Sequence, residues 1–330
     1  MAEVSKRGFS INYKGIDCTK VLMAILVVAI HTLQPYVMTW PVLFAEFFNI
    51  LMRVAVPFFF TVSGFLLCNK LRMKDYPEKL YYMQGWLFRI VRLYLVWTLI
   101  YLPYAIIGFY KDDLGFIKSA AVYVRNVIFV GENYLSWPLW YLLAMLVAGL
   151  IYYLILKLRS KYFVSILVII GCSLVGIGAM IDSGLIGNSW YITLFKSTRN
   201  GFFQGFPYMT IGFIISSVGY SHNKCLLISL LFIGVISQLL GVTVGSFITI
   251  YALFSIILST NFYFISDDIC KKIRLVSVVI YFVHMIWVGV LVLCFNLSPI
   301  CLFVSSLCLS GVTSYFVIKN KNKKIVRFLF

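Results

Sequence analysis

The chain alternates long apolar segments with short polar links. Its apolar runs are continuous over about twenty residues, the length a helix needs to cross the hydrocarbon core, whereas barrel strands alternate over about ten. This pattern predicts an all-α, polytopic membrane bundle of about ten transmembrane helices. We expect them at residues 20–39, 43–69, 87–109, 137–157, 162–181, 201–219, 224–242, 245–265, 275–295 and 298–318.

Composition supports the same class. Hydrophobic residues make up 62% of the 330 residues and charged residues 12%, against about half and a quarter in soluble domains. A soluble fold of this size could not bury so much apolar surface in one core. We therefore expect one integral membrane domain over residues 1–330, with a cytoplasmic N-terminal segment at 1–19 and a tail at 319–330.

The basic residues of the chain divide unequally between alternate links. Of the 28 Lys and Arg residues, 22 fall at one predicted side, 5 at the other, and Arg53 lies inside a helix. By the positive-inside rule the rich side, which includes both termini, is cytoplasmic. The net charge of +17 is thus explained by topology in the plasma membrane, among membrane lipids, and we expect no nucleic-acid partner.

The outer links and the cysteines add little chemistry. In the link at 110–136, Lys118 and Arg125 are seven residues apart and share one helix face, which predicts an amphipathic surface helix. A second outer link covers 182–200. The eight cysteines lie in or beside apolar spans without metal-ligand spacing, so we expect no metal site and no permanently bound cofactor.

Two histidines lie where a polar side chain is costly. His31 is eleven residues beyond Lys20, and His284 is ten beyond Arg274, so each is roughly 15–16 Å from the cytoplasmic side. An imidazole at that depth either forms a structural hydrogen bond between helices or moves a proton. Two imidazoles at one depth favour the second interpretation. The third histidine, His222, fits a solvated turn.

Three arginines are further candidates. Arg53 precedes Pro57 in the second helix, and the proline leaves a carbonyl without its helical donor. A broken helix beside a permanent charge indicates a polar cavity, although a structural ion pair is an alternative. Arg89 and Arg92 share one face of the third helix; they are either snorkelling topology residues or a phosphate clamp.

These residues also fit a known pattern. The chain resembles the acyltransferase 3 family of ten-helix membrane acyltransferases over essentially its whole length. In GIDCTKVLMAILVVAIH, Asp17 and His31 have the family's spacing, and Lys20 stands where arginine is usual. The other matching residues are Ser63, Gly64 and Phe65 in FFFTVSGFLL, Arg89 and Arg92 in RIVR, Trp140 and Tyr141 in PLWYLLA, and Tyr281 and His284 in YFVH.

Within the family, the chain looks most like the membrane half of the vancomycin-resistance serine racemases. The segments that carry this likeness are RVAVPFFF and TRNGFF, which contains Arg199 and Asn200. We expect neither the racemase half nor an esterase-like domain. The lysine at position 20 keeps the charge but loses the bidentate guanidinium fork, which alters any contact with a carboxylate or phosphate there.

The resemblance implies O-acyl transfer, with acetyl as the expected group, from cytoplasmic acyl-CoA (acetyl-CoA) to a hydroxyl of an extracytoplasmic glycan or a lipid-linked sugar. It implies catalytic roles for His31, His284 and Asp17, and donor binding by Lys20, Arg89 and Arg92. The residues expected around the acceptor cavity are Arg53, Ser63, Trp140, Tyr141, Arg199, Asn200 and Tyr281. A transporter of a small, serine-like amino acid, a glycan exporter and a membrane scaffold remain alternatives, and a homodimer is left open.

The charge asymmetry gives a testable topology. Both termini and the links at 70–86, 158–161, 220–223 and 266–274 should be cytoplasmic, because they carry most of the basic residues. Single cysteines in these links, in a background without the native cysteines, should react with a membrane-impermeant maleimide only after permeabilisation. Labelling of a cysteine within 70–86 in intact cells would show that the predicted orientation is wrong.

Overall fold

The computed structural model describes residues 13–186, 189–260 and 265–330, and no strand occurs within these ranges. The predicted all-α membrane bundle is confirmed. Residues 1–12 of the predicted N-terminal segment and 261–264 of the predicted helix 245–265 lie outside the described residues. The helices are α1 (Lys14–Val37), α2 (Val42–Arg53), α3 (Ala55–Arg72), α4 (Tyr76–Lys111), α5 (Phe116–Phe129), α6 (Trp140–Lys157), α7 (Phe163–Asp182), α8 (Ser189–Phe195), α9 (Phe206–Ser217), α10 (Lys224–Leu239), α11 (Val244–Ser259), α12 (Asp267–Cys294), α13 (Pro299–Lys319) and α14 (Lys324–Leu329).

Ten helical segments run between the two ends of the bundle. Among the described residues, seven are long and apolar enough to cross a membrane, with α2 and α3 counted as one segment. The other three are α10, α11 and α9, which continues from a π-helical segment at Gly201–Gly205. We call the end at which α1 begins the basic face and the opposite end the cavity face.

Contacts at the basic face show that the short helices return to it. The Arg72 guanidinium donates to the Ser216 carbonyl at the end of α9, 2.6 Å away. Lys14 donates to the Ile265 carbonyl, at 2.6 Å, and pairs with Asp267 at the start of α12. The hairpin between α10 and α11 therefore crosses the bundle twice, with its turn at the cavity face.

The predicted boundaries differ from the structure at five helices. The predicted helix 20–39 begins earlier, as α1 at Lys14, inside the predicted N-terminal segment 1–19, and the predicted helix 245–265 ends earlier, as α11 at Ser259. The predicted helix 43–69 is interrupted between α2 and α3, because Pro57 cannot donate to the carbonyl four residues earlier. The predicted helix 87–109 begins earlier, as α4. The predicted helix 275–295 begins earlier as α12, where the Ser266 side chain accepts from the Ile269 amide as an N-cap. The predicted links 70–86 and 266–274 are consequently mostly helical.

Two short helices lie at the cavity face. The predicted surface helix of the link 110–136 is present as α5, and the link 182–200 contains α8. The Arg125 guanidinium on α5 donates to the Thr193 carbonyl of α8, at 3.0 Å, and the Phe129 and Phe195 rings meet edge to face. The two outer links thus form one joined layer above the bundle.

A close crossing of α3 and α9 holds the centre of the bundle. A methyl group on Gly64 would come within 1.9 Å of the Met209 carbonyl oxygen, and one on Gly212 within 1.9 Å of the Thr61 carbonyl oxygen. The Thr61 hydroxyl donates across the same crossing to the Tyr208 carbonyl, at 3.2 Å. Only glycines allow this contact between backbones, as at small-residue interfaces of other membrane helices.

Candidate active site

A cavity of about 610 Å³ opens at the cavity face and is lined by residues of α1, α2, α3, α6, α7, α9, α10, α11 and α12 and of the π-helical segment. Its size suits a small ligand or one sugar unit. Much of its wall is polar. The polar and aromatic residues that line it are His31, Gln34, Glu46, Asn49, Arg53, Trp140, Asp182, Thr198, Arg199, Gln204, Tyr208, Gln238, Thr243, Ser246 and Tyr281.

The two deep histidines meet at the wall of this cavity. The rings of His31 and His284 are nearly parallel, with centroids 5.5 Å apart. His31 lines the cavity, and within the described part of the chain neither of its ring nitrogens has a hydrogen-bond partner. His284 lies behind it, fully buried.

The hydrogen bonding of His284 defines its neutral form. Its Nδ1 is 3.0 Å from the Ile280 carbonyl oxygen, which can only accept, so Nδ1 carries the proton and Nε2 keeps its lone pair. This buried Nε2 has no hydrogen-bond partner among the described residues. A buried polar atom without a partner is costly and points to a ligand or to functional use.

An aromatic wall borders His31. A 3-10 turn at Trp137–Leu139 precedes α6, and the Trp137 ring centroid is 5.5 Å from that of His31. The Tyr281 hydroxyl, one helical turn before His284, donates to the Pro138 carbonyl at 2.6 Å. This bond fixes Tyr281 in the cavity wall, where Trp140 also lies.

Ser63 and Tyr141 form a polar pair next to the same wall. The Ser63 hydroxyl donates to the Phe59 carbonyl, at 2.9 Å, and lies 3.1 Å from the Tyr141 hydroxyl. The Tyr141 ring meets that of Tyr281 edge to face, with centroids 5.7 Å apart. Neither Ser63 nor Tyr141 lines the cavity, so both are one layer behind the residues predicted with them.

Arg199 is held in the cavity wall by an ion pair. Its Nη2 is 2.5 Å from a Glu132 carboxylate oxygen, and its guanidinium lies over the Trp140 ring. Nearby, burial lowers the pKa of the Lys196 ammonium, Arg125 lowers it as well, and Glu132 opposes them. Two of the five basic residues of the predicted outer side, Lys196 and Arg199, therefore lie near the Glu132 carboxylate, and a third, Arg125, lies near Lys196.

Asn200 has a structural position. Its side-chain oxygen accepts from the amides of Phe202 and Phe203, which caps the π-helical segment, and its amide group donates to the Tyr191 hydroxyl. It does not line the cavity. Capping a short helical segment satisfies backbone donors that have no partner within the helix. Asn200 thus shapes the turn that carries Arg199.

Asp17 and Lys20 lie near the basic face, away from the histidines. Asp17 is 3% exposed, and it accepts from Arg274 Nε at 3.0 Å and from Nη2 at 2.6 Å. The Lys20 ammonium is 3.8 Å from the same carboxylate. Fourteen residues along α1 separate Asp17 from His31, about 21 Å. Asp17 therefore joins α1 to α12 and does not reach the cavity.

Arg89 and Arg92 face the helix α14. The Arg89 guanidinium is 3.4 Å from the Phe330 carbonyl oxygen, and Arg92 lies over the Phe328 ring. The Trp97 indole donates to the Leu329 carbonyl, at 2.9 Å. Arg92 Nε is buried and has no hydrogen-bond partner among the described residues. This donor is thus unsatisfied, and another acceptor reaches it only if the packing of α14 against Arg92 changes.

Comparison with known proteins identifies the family. The model of the acyltransferase 3 family, described as an acyltransferase domain, matches residues 13–319. The chain belongs to the acyltransferase 3 family. Its family and its long apolar helices make it a multi-pass membrane protein. No solved structure is significantly similar to it.

Curated relatives include racemases of enterococci. The chain is 29% identical to a serine/alanine racemase of Enterococcus gallinarum over 61% of its length, and 32% identical to an amino-acid racemase of Enterococcus faecalis over 64%. A second amino-acid racemase of that species is 30% identical over 54% of the chain. The matches span only 23–29% of these relatives' own lengths.

Several residues of this acyltransferase-family site escape the sequence patterns. Glu46 is an ionisable residue inside an apolar helix, which is a sequence signal of a functional position. Asn49 and Gln34 also line the cavity. Arg274 looks like any basic residue of the predicted cytoplasmic side, and Glu132 like a loop residue. Their roles depend on partners that are 257 and 67 residues away along the chain, which no local pattern reveals.

The pairing of Asp17 with Arg274 predicts a loss of stability when it is broken. Asp17→Asn should lower the unfolding free energy by about 1–3 kcal/mol, because the ion pair with Arg274 is lost. The loss is moderate because the Arg274 side chain is half-exposed, so water solvates its charge in the variant. The thermal unfolding midpoint of the purified protein measures this loss.

The exposed pair of Lys272 and Asp268 provides the control for that measurement, and Asp268→Asn should leave the midpoint unchanged. The double variant Asp17→Asn/Arg274→Gln should be less damaged than the sum of its single variants, since each removes the same interaction. Strict additivity would show that the two residues act independently.

Proposed function

We propose that this protein is a membrane O-acyltransferase that moves an acyl group, acetyl in the simplest case, from acyl-CoA to a hydroxyl of an extracytoplasmic or lipid-linked glycan. The observation that carries the proposal is the position of His31. Its imidazole faces a polar cavity, forms no hydrogen bond to another helix among the described residues, and stacks on His284. A structural histidine between helices would use its ring nitrogens for such a bond.

His31 acts as the general base. A hydroxyl is a poor nucleophile until its proton is removed, and imidazole accepts protons near neutral pH. The acceptor oxygen forms the new ester C–O bond, and the thioester C–S bond breaks. The proton passes from the hydroxyl to His31 and then to the coenzyme A thiolate. His284 supports the ring of His31 by stacking.

The donor binds on the basic face. Arg92 offers a buried Nε without a partner, and Arg89 is one turn away, so the two guanidinium groups can hold phosphates. The Tyr101 hydroxyl donates to the Phe282 carbonyl, which brings these two positions to one level of the bundle. Arg92 is nine residues before Tyr101, about 14 Å. The arm of a coenzyme A thioester is long enough for this distance, and Lys20 neutralises charge beside the route.

The two substrates approach from opposite sides of the plasma membrane. We assign the basic face, with Arg89 and Arg92, to the cytoplasm, since it holds most of the basic residues. The cavity then opens to the outside or to the outer leaflet, where a glycan or a lipid-linked sugar arrives. Asp17 serves the reaction by its ion pair with Arg274, which keeps α1 and α12 in register.

A second candidate function is transport of a small, serine-like amino acid. Its support is that the enterococcal relatives are named serine/alanine and amino-acid racemases, together with two cavity residues of opposite charge, Glu46 and Arg53. Serine accumulation in sealed vesicles without acyl-CoA would favour transport. Thioester hydrolysis or acyl-CoA binding by the purified protein would favour acyl transfer.

The donor site is tested by Arg89→Ala/Arg92→Ala. The double variant should bind acyl-CoA about tenfold or more weakly, because two charge-assisted contacts to phosphate are lost. Equilibrium binding of labelled acetyl-CoA measures the change. The difference from wild type should shrink at high salt by whatever part is unspecific attraction.

Two controls separate this site from its surroundings. Lys271→Ala/Lys272→Ala removes the same charge from exposed positions of α12 and should leave donor affinity near normal. Phe328→Ala removes the ring over Arg92 but keeps the guanidinium groups. If Phe328→Ala weakens binding as much as the double arginine variant, the arginines serve only to hold α14.

The base is tested at His31. His31→Ala should lower acyl transfer by about 10²- to 10⁴-fold while the protein still inserts and still binds the donor. His284→Ala should be impaired too, and the double variant no worse than the worse single variant, since the two rings act as a unit. Transfer of radiolabelled acetyl to the acceptor measures the rates.

His31→Gln distinguishes the structural alternative, because an amide keeps a hydrogen bond but does not accept a proton at neutral pH. Near-normal turnover of this variant would remove the catalytic role. His222→Ala is the matched histidine control. His222 contacts the Tyr220 ring in the turn before α10, and its loss should not change the rate.

A further inference from the structure

One face of α2 forms a polar strip in the cavity wall. Glu46, Asn49 and Arg53 are separated by three and four residues, so they lie on one side of the helix, and all three line the cavity. Asn49 is only 5% exposed, yet its side chain has no hydrogen-bond partner in the described part of the chain. A buried amide of this kind is suited to bind a ligand.

Arg53 differs from the other arginine of the cavity. Arg199 is neutralised by Glu132 and covered by Trp140. Arg53 has neither an ion-pair nor a hydrogen-bond partner among residues 13–186, 189–260 and 265–330, although its side chain is exposed to the cavity. The five donors of the guanidinium remain available.

The charges of the cavity are separated by depth. Glu46 is in the second turn of α2 and Asp182 ends α7, so both carboxylates lie towards the mouth, where Asp182 accepts from the Thr198 hydroxyl at 2.8 Å. Arg53 is seven residues further into the bundle than Glu46, about 10 Å. The unpaired cation thus lies at the depth of the bundle where α2 breaks, and His31 lines the same cavity.

From this arrangement we infer that Arg53 binds an oxyanion of the acceptor, a carboxylate or a phosphate, so that the acceptor is an anionic sugar. A guanidinium matches such a group with two parallel hydrogen bonds. Nearer the mouth, the carboxylates of Glu46 and Asp182 accept hydrogen bonds from sugar hydroxyls. The amides of Gln34 and Asn49 both accept hydrogen bonds from these hydroxyls and donate to them. The inference rests on the proposed function for its meaning, but the binding itself does not require acyl transfer.

Ligand binding without donor tests the inference. The purified protein, in nanodiscs of zwitterionic lipid free of glycoside detergent, is titrated with glucose, glucuronate and glucose 6-phosphate, and thermal stabilisation is recorded. Wild type should prefer at least one anionic sugar over glucose, and the two anionic arms tell a carboxylate site from a phosphate site. Arg53→Gln should weaken that binding about ten- to a hundredfold and leave glucose unaffected.

Two further variants keep the result interpretable. Arg53→Lys retains the charge but loses the fork, and it should fall between wild type and Arg53→Gln. Lys118→Gln removes a cation of α5, which lies at the cavity face but outside the cavity, and this variant should bind the sugars like wild type. Equal binding of glucose and both anionic sugars by wild type would overturn the inference. Unchanged preference in Arg53→Gln, or stabilisation by serine alone, would overturn it as well.

The outcome is separable from that of the proposed function. Binding of an anionic sugar that depends on Arg53, without transfer of acetyl to any acceptor, would support the site and refute the enzyme. Acetyl transfer that depends on His31 but is equally fast with neutral and anionic acceptors would support the enzyme and refute the oxyanion contact.

Discussion

A buried carboxylate near the basic face determines how α1 and α12, the helices that carry His31 and His284, align. Asp17 pairs with Arg274 and is almost inaccessible, and a charge in such a place persists only with a partner. Helices are stiff, so a contact at one end sets the alignment of side chains far along them. His31 and His284 are about 21 and 15 Å further along α1 and α12, and their rings meet there. The proposed proton transfer therefore depends on an ion pair that touches no substrate.

In the rest of the bundle, the basic residues and the polar cavity lie at opposite ends. Most cations lie at the basic face, and the apolar surface of the helices faces lipid, where no polar group could be satisfied. Three ionisable side chains of the spans, His31, Glu46 and Arg53, line one cavity, and α2 is interrupted directly after Arg53. Such a distribution suits an enzyme whose two substrates never share a compartment. In the proposed reaction, the donor and the acceptor meet at the depth of the histidines.

The sequence predicts the fold well because hydrocarbon imposes simple rules on length and charge. Ten apolar segments, the amphipathic α5 and the shared depth of His31 and His284 all follow from periodicity and helix rise. Segment ends are less predictable: α4 and α12 extend beyond the apolar part, where caps such as Ser266 decide the boundary. Partners are least predictable, since the pairing of Asp17 with Arg274 joins residues 257 positions apart. The position of α14 against Arg92 likewise depends on packing between the two ends of the fold.

The crossing of α3 and α9 changes how the Ser63–Gly64 dipeptide should be understood. Gly64 meets the backbone of Met209 and admits no side chain, while its neighbour Ser63 shares a hydrogen-bonded cluster with Tyr141 beside the aromatic wall. Two adjacent residues of one motif thus have different constraints. Gly64 is required by the close packing of α3 against α9, whereas Ser63 takes part in a hydrogen bond. Adjacent positions of one motif can therefore be constrained for independent reasons, one by helix packing and the other by hydrogen bonding. In such a motif, invariance at one position says nothing about the chemical role of the next.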